Sequence, residues 1–211
     1  MKLNGKLISF EGGEGSGKSS LLSRLKDETA LSTYKILYSF EPGGSELGQE
    51  IRQSLIKPRA FVSPRAEALL YAAARAQHVD EVIVPALAQS THVFLDRYVD
   101  ASLAYQGVAR ELGLKRIRDL NEWAMNSIYP DRTYYLDIDP ETGLKRAKGR
   151  QSLDRIEQES MLFHAKIREA YQHLAKADPA RFIVIDASKT ADEVFSNVLR
   201  DLLGYLPKNG S

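Results

Sequence analysis

The chain contains no cysteine. Disulfides, thiolate nucleophiles and zinc sites built on cysteine are thereby excluded, although the absence fixes no compartment by itself. Histidine is scarce: His78, His92, His164 and His173 are scattered without metal-ligand spacing, so each reads as a surface or satisfied structural residue. No apolar run approaches the ~18–20 residues that cross a bilayer. Residues 1–5 lack the basic head and apolar segment of a secretory signal. Net charge is only +1, from 29 Lys and Arg against 28 Asp and Glu, which leaves no global field to recruit nucleic acid or a membrane. Repeats, low-complexity tracts and Pro/Gly-rich linkers are also lacking. Together these absences point to a cytoplasmic protein with neither nucleic acid nor membrane as a partner.

What is present is ordinary globular composition, 43% hydrophobic and 27% charged over 211 residues. That length suits one domain, expected over residues 1–207, with 208–211 as a disordered tail. Short apolar runs at 6–11, 34–40, 92–96, 134–138 and 182–186 predict five strands buried on both faces. Helical patterns at 18–28, 66–88, 114–127, 158–176 and 191–203 separate them. This alternation implies an α/β fold, doubly wound, with a parallel sheet covered by helices on both faces. The segment 145–155 stands apart: Lys145, Arg146, Lys148, Arg150 and Arg155 crowd around Gly149 and Ser152. It reads either as a solvated helix face or as a mobile lid.

Gly12-Gly13-Glu14-Gly15-Ser16-Gly17-Lys18-Ser19 fits G-x-x-x-x-G-K-[ST], after a strand and before a helix, as that motif requires. Its glycines allow successive backbone N–H groups to curl around an anion, and the helix N-terminus adds further donors. Lys18 supplies a point charge for the β- and γ-phosphates, and the Ser19 hydroxyl can join a Mg²⁺ shell. Nucleoside triphosphate binding follows; transfer of phosphate does not yet. Asp96-Arg97 ends the third strand at the carboxyl edge of the sheet, where such folds bind ligands. Asp96 can hold Mg²⁺ through water or accept from Ser19, and Arg97 can clamp phosphate. A structural ion pair at a strand end remains equally open.

The ordered set of the P-loop, Glu41-Pro42-Gly43-Gly44, Leu69-Leu70-Tyr71-Ala72-Ala73-Ala74-Arg75, Asp96-Arg97-Tyr98, Ser102, Tyr105-Gln106-Gly107, Tyr135-Leu136-Asp137 and Leu153-Asp154-Arg155-Ile156-Glu157 resembles the bacterial thymidylate kinases over nearly the whole chain. The resemblance implies a P-loop NTPase fold with a five-stranded parallel sheet and a mobile lid at about 145–157. It implies transfer of the γ-phosphoryl group of Mg-ATP to dTMP. Other small kinases on the same scaffold, and a P-loop regulator that transfers nothing, stand as alternatives.

Residue by residue, the resemblance places Glu41 and Pro42 near the acceptor, and Arg52 and Arg97 on its phosphate. Tyr71 falls where relatives stack an aromatic ring on thymine, most of them with Phe. Without the resemblance it reads as a core residue. Arg75, at i+4 from Tyr71, shares its helix face and corresponds to the residue that hydrogen-bonds the pyrimidine edge. Ser102, Tyr105 and Gln106 line the acceptor pocket by the same analogy, Tyr105 beside the deoxyribose. The P-loop carries no arginine, which resembles the subgroup whose lid delivers the catalytic cation, with Arg150 and Arg155 as candidates. The expected catalytic set is thus Lys18, Arg97, Arg150, Arg155 and Glu14; Gly12 to Ser19 bind ATP; Ser19 and Asp96 meet the metal. The family also implies a homodimer built on helices that include residues 66–88.

Overall fold

The computed structural model describes residues 3–57, 61–147 and 155–207. Five parallel strands, β1 (Leu7–Glu11), β2 (Ile36–Phe40), β3 (His92–Asp96), β4 (Arg132–Asp137) and β5 (Phe182–Asp186), form one sheet in the order β2-β3-β1-β4-β5. The helices are α1 (Lys18–Lys26), α2 (Glu46–Ile56), α3 (Pro64–His78), α4 (Val84–Ala88), α5 (Val99–Ser102), α6 (Leu114–Ala124), α7 (Pro140–Ala147), α8 (Met161–Ala177) and α9 (Ala191–Tyr205). Both faces of the sheet are covered. Ile8, Phe10, Phe94, Tyr134 and Leu136 pack on one side against Leu21 and Leu25 of α1 and Val198 and Leu202 of α9. Tyr135 and Phe182 pack on the other against α6 and α8, while Leu7, Val93 and Leu95 meet Val79, Ile83 and Leu87.

Strand boundaries follow the apolar runs, but burial on both faces holds only for the central strands β1, β3 and β4; β2 and β5 lie at the sheet edges and leave Phe40 and Val184 exposed. β3 and β5 match the predicted spans, whereas β4 starts at Arg132, two residues early, because Thr133 is fully buried and bonds Ser9 across the sheet at 2.8 Å. Helix α6 stops at Ala124 rather than reaching residue 127, since Asn126 and Ser127 adopt left-handed backbone at φ 48° and 58°. The Ala-rich stretch is not one α-helix. A π-helical turn, Val79–Ile83, separates α3 from α4, and Val84 N donates five residues back to Val79 O. Pro85 has no N–H to give and its ring would press on the preceding turn, which the wider winding relieves. Helices α2, α5 and α7 were not among the predicted helices.

The register brings three strand ends together. Phe10 lies opposite Asp96, and Asp96 lies opposite Phe40. Beyond the last pairs, Arg97 N donates to Phe10 O and Glu41 N to Asp96 O, both at 3.0 Å. The P-loop, Glu41-Pro42 and Arg97 therefore leave the sheet side by side at its carboxyl edge.

Candidate active site

A cavity of about 620 Å³ opens at that edge, running from the P-loop past Asp96 and Arg97 to Tyr71, Arg75 and Gln106. At its first end, Gly15 sits at φ +67°, and a Cβ there would lie 1.9 Å from the carbonyl oxygen of Gly143 on α7. Glycine is thus required both by the left-handed turn and by the close approach of backbone. Lys18 Nζ donates to Gly12 O at 3.0 Å, Gly13 O at 3.1 Å and Ser16 Oγ at 3.2 Å. Burial, with Arg97 nearby, pushes the ammonium down to about 8, against the pull of Asp96 and Glu14. Ser19 Oγ donates to Asp96 Oδ2 at 2.9 Å, so of the two options for Asp96 the hydrogen bond is present.

Arg97 occupies left-handed backbone at φ 69°, a strained setting for a long side chain. That turn aims its guanidinium back over the loop, where Nη1 donates to Gly12 O at 2.9 Å and Nη2 to Glu14 Oε1 at 2.6 Å. The Tyr105 hydroxyl donates to the same Glu14 oxygen at 2.8 Å, and the Tyr105 ring lies 5.0 Å beneath the Arg97 guanidinium. Burial raises the Glu14 carboxyl, but Arg97 and Lys18 outweigh it and hold the group below the ordinary range.

Glu11, which the sequence reading did not single out, holds this turn from below. Fully buried, it accepts from Tyr98 N and from the Tyr171 hydroxyl, each at 2.7 Å. Burial and the neighbouring Asp100 raise its carboxyl to about 7. One signal was available: a carboxylate ends a largely apolar strand directly before the P-loop. Asp100 in turn is gripped by Arg181, whose Nη1 and Nη2 donate at 2.6 and 3.0 Å.

At the second end, α3 carries Glu67, Tyr71 and Arg75 on successive turns. Tyr71 lines the cavity, its phenol raised to about 12 by burial and by Glu67. Arg75 is almost wholly buried: Nε donates to Glu41 Oε2 at 2.7 Å, Nη1 to Ser102 Oγ at 2.9 Å and to Asn121 Oδ1, and Nη2 to Tyr98 O at 3.0 Å. Its second Nη2 hydrogen meets no acceptor among the described residues, and Arg75 lines the cavity. Glu41, joined to Pro42 by a cis peptide bond, also meets His78 Nδ1 at 3.0 Å, and His78 Nε2 meets Ser39 Oγ at 2.8 Å. His78 is thus a satisfied structural histidine. Arg52 Nη1 donates to Pro42 O at 3.0 Å, and the side chain faces the cavity.

The cavity wall thus brings together Glu14 to Ser19, Glu41, Pro42, Arg52, Tyr71, Arg75, Asp96, Arg97, Ser102, Tyr105 and Gln106. Ser102 ends α5, and Tyr105 and Gln106 lie in the π-helical Leu103–Ala109 that continues it. The cationic segment divides. Lys145 pairs with Glu141 at 2.8 Å on α7, a solvated helix face, and Arg146 donates to Ala187 O at 2.8 Å. Lys148 and Arg150 lie outside the described residues, as does the 208–211 tail. Arg155 donates through Nε to Leu55 O at 2.9 Å and through Nη2 to Glu67 Oε2 at 2.5 Å, which ties it to α2 and α3.

The profile of the family described as thymidylate kinase matches residues 10–198. A protein of Lactobacillus acidophilus described as thymidylate kinase is 44% identical, over 98% of this chain and 97% of its own. One of a Thermoanaerobacter species, described in the same words, is 43% identical over 97% of this chain and 100% of its own. Among solved structures, thymidylate kinase from Ehrlichia chaffeensis superposes with a TM-score of 0.76 at 27% identity, over 94% of this chain and 98% of that one. Agreement that runs nearly end to end in sequence and in backbone means that this chain belongs to the thymidylate kinase family.

Proposed function

We propose that the enzyme transfers the γ-phosphoryl group of ATP to dTMP, giving ADP and dTDP. The observation that carries this reading is the continuity of one cavity, with a P-loop at one end and an aromatic ring, a guanidinium and an amide at the other. A phosphate cradle alone would serve any nucleotide-binding protein. A second pocket opening directly onto it supplies a place for an acceptor.

Phosphoryl transfer leaves little covalent work to the protein, so positioning and charge carry the rate. The P-loop amides and Lys18 hold the β- and γ-phosphates of ATP. Arg97 and Arg52 approach from the acceptor side, and the Tyr71 ring and Arg75 hold the base. Tyr105, fixed by Glu14, packs beside the sugar and leaves little room for a 2′-hydroxyl. The attacking atom is a phosphate oxygen, already deprotonated near neutral pH, so no side-chain base is needed. Glu14 serves to aim Arg97 and Tyr105 rather than to take a proton.

A small hard cation fits this chemistry. Ser19 and Asp96 offer a hydroxyl and a carboxylate side by side, the oxygen donors Mg²⁺ prefers. Among the described residues no three His, Cys, Asp or Glu are grouped so as to hold a metal ion, so such an ion would lean on nucleotide oxygens for most of its shell. When bound, Mg²⁺ neutralises charge on the β- and γ-phosphates. The lid arginine remains proposed as Arg150 or Arg155, the latter requiring release from Glu67. No helix among the described residues is long and apolar enough to cross a membrane. A cytoplasmic homodimer is part of the same reading.

Coupled ADP release with dTMP, dUMP, UMP, CMP and thymidine as acceptors tests it. Preference for dTMP is expected; faster turnover of thymidine, or none dependent on an acceptor, would overturn it.

A further inference from the structure

Glu67 is fully buried beneath the acceptor pocket, one helical turn before Tyr71. Its Oε1 accepts from Gln106 Nε2 at 2.9 Å and from Arg110 Nε at 3.3 Å. Its Oε2 accepts from Arg110 Nη2 at 3.3 Å and from Arg155 Nη2 at 2.5 Å. A carboxylate between two guanidinium groups is an acceptor only, so the Gln106 amide has a single satisfied orientation: its NH₂ faces Glu67. Gln106 Oε1 has no protein donor among the described residues, and Gln106 lines the cavity. The pocket therefore meets a base with a fixed acceptor at this point and, from the remaining Nη2 hydrogen of Arg75, a fixed donor.

We propose that Glu67 is a positioning residue that sets base preference by locking Gln106 with its carbonyl oxygen toward the nucleobase. This rests on the reading of dTMP as acceptor. A 4-keto pyrimidine presents an N3–H donor and an O4 acceptor, the complement of Gln106 Oε1 and Arg75. A 4-amino pyrimidine presents a lone pair at N3 and an NH₂ group, which sets lone pair against lone pair and N–H against N–H. A site built to pair polar groups penalises the mismatch because both sides stay desolvated and unpaired.

In Glu67→Gln the Nη2 groups of Arg110 and Arg155 retain an oxygen at the Oε2 position, so the new NH₂ takes the place facing Gln106, at the loss of the long 3.3 Å contact from Arg110 Nε. Gln106 then inverts and offers its own NH₂ to the base. The ratio of kcat/KM for dTMP over dCMP is expected to fall by about 10- to 100-fold, with dCMP turnover rising in absolute terms. A role confined to packing would lower both rates together and leave the ratio unmoved, and that result overturns the proposal. Should Glu67→Gln fail to fold, Gln106→Leu decides. It removes the reading atom, and the ratio should fall by a similar factor; an unchanged ratio again overturns the proposal. A wild-type chain that phosphorylates no pyrimidine monophosphate overturns the dTMP reading itself, and with it this proposal. A wild-type chain that prefers dTMP, with an unaltered ratio in the variants, overturns the proposal alone.

Discussion

Glu11 ends the strand before the P-loop and Lys18 opens the helix after it, and they differ in how their ionisation is maintained. Lys18 directs its ammonium at two loop carbonyls and a serine hydroxyl, so it stays charged although buried. Replacing it with alanine removes the point charge on the transferred phosphoryl group. Steady-state kinetics should show kcat/KM lower by roughly 10²–10³-fold with the fold intact by circular dichroism. Undiminished dTDP production in that variant would remove the P-loop from the mechanism. Glu11 is harder to keep charged. Its carboxyl is raised from 4.5 to about 7, so between those values the folded chain binds more protons than the unfolded one. Its contribution to stability is present below pH 4.5 and is lost as pH rises toward 7. Urea unfolding from pH 5 to pH 7.5 should therefore show a steeper decline for the wild type than for Glu11→Gln. Parallel slopes would mean that Glu11 does not titrate in this range.

At the scale of elements, the P-loop is shaped as much by α7 as by its own sequence. A Cβ on Gly143 would lie 2.3 Å from the carbonyl oxygen of Glu14, the reciprocal of the contact made by Gly15. Backbone against backbone cannot give way as a flexible side chain can. Gly143→Ala should displace the loop around Glu14 and with it the Glu14–Arg97–Tyr105 cluster. With ATP varied, kcat/KM is expected to drop at least about 10-fold, while unfolding stability changes by no more than about 1–3 kcal/mol, the usual cost of overpacking. Unaltered ATP kinetics would show that the loop holds its shape without α7. The π-helical segments act at the same scale. The wide turn at Leu103–Ala109 continues α5 and presents Ser102, Tyr105 and Gln106 to one cavity.

For the whole molecule, two of the exposed apolar residues lie on neighbouring helices. Leu69 on α3 is 53% exposed and Trp123 on α6 is 85% exposed, on two helices that pack against each other. The homodimer proposed above would bury these residues, and a stable one needs on the order of 1,000 Å² or more. Leu69→Arg should place an unpaired charge in that interface. In sedimentation velocity at micromolar concentration the wild type is expected near twice 23.6 kDa and the variant near 23.6 kDa. A wild type that runs as a monomer would discard the dimer.

By itself the sequence determined what depends on neighbours along the chain. Five strands declared themselves as apolar runs, because the three central ones bury both faces and the two edge strands are still half covered, and the P-loop declared itself because its turn needs glycine at fixed spacing. Tyr71 and Arg75 could be placed together because a helix repeats every 3.6 residues. What only the tertiary structure decided depends on partners far away in sequence. Glu11 meets Tyr171, Glu67 meets Gln106, Arg110 and Arg155, and Gly15 meets Gly143, through contacts that no local period encodes. Whether such a carboxylate is a surface charge or the buried pivot of a site is settled by which elements close over it, because burial turns a weak exposed ion pair into a costly group that must be matched.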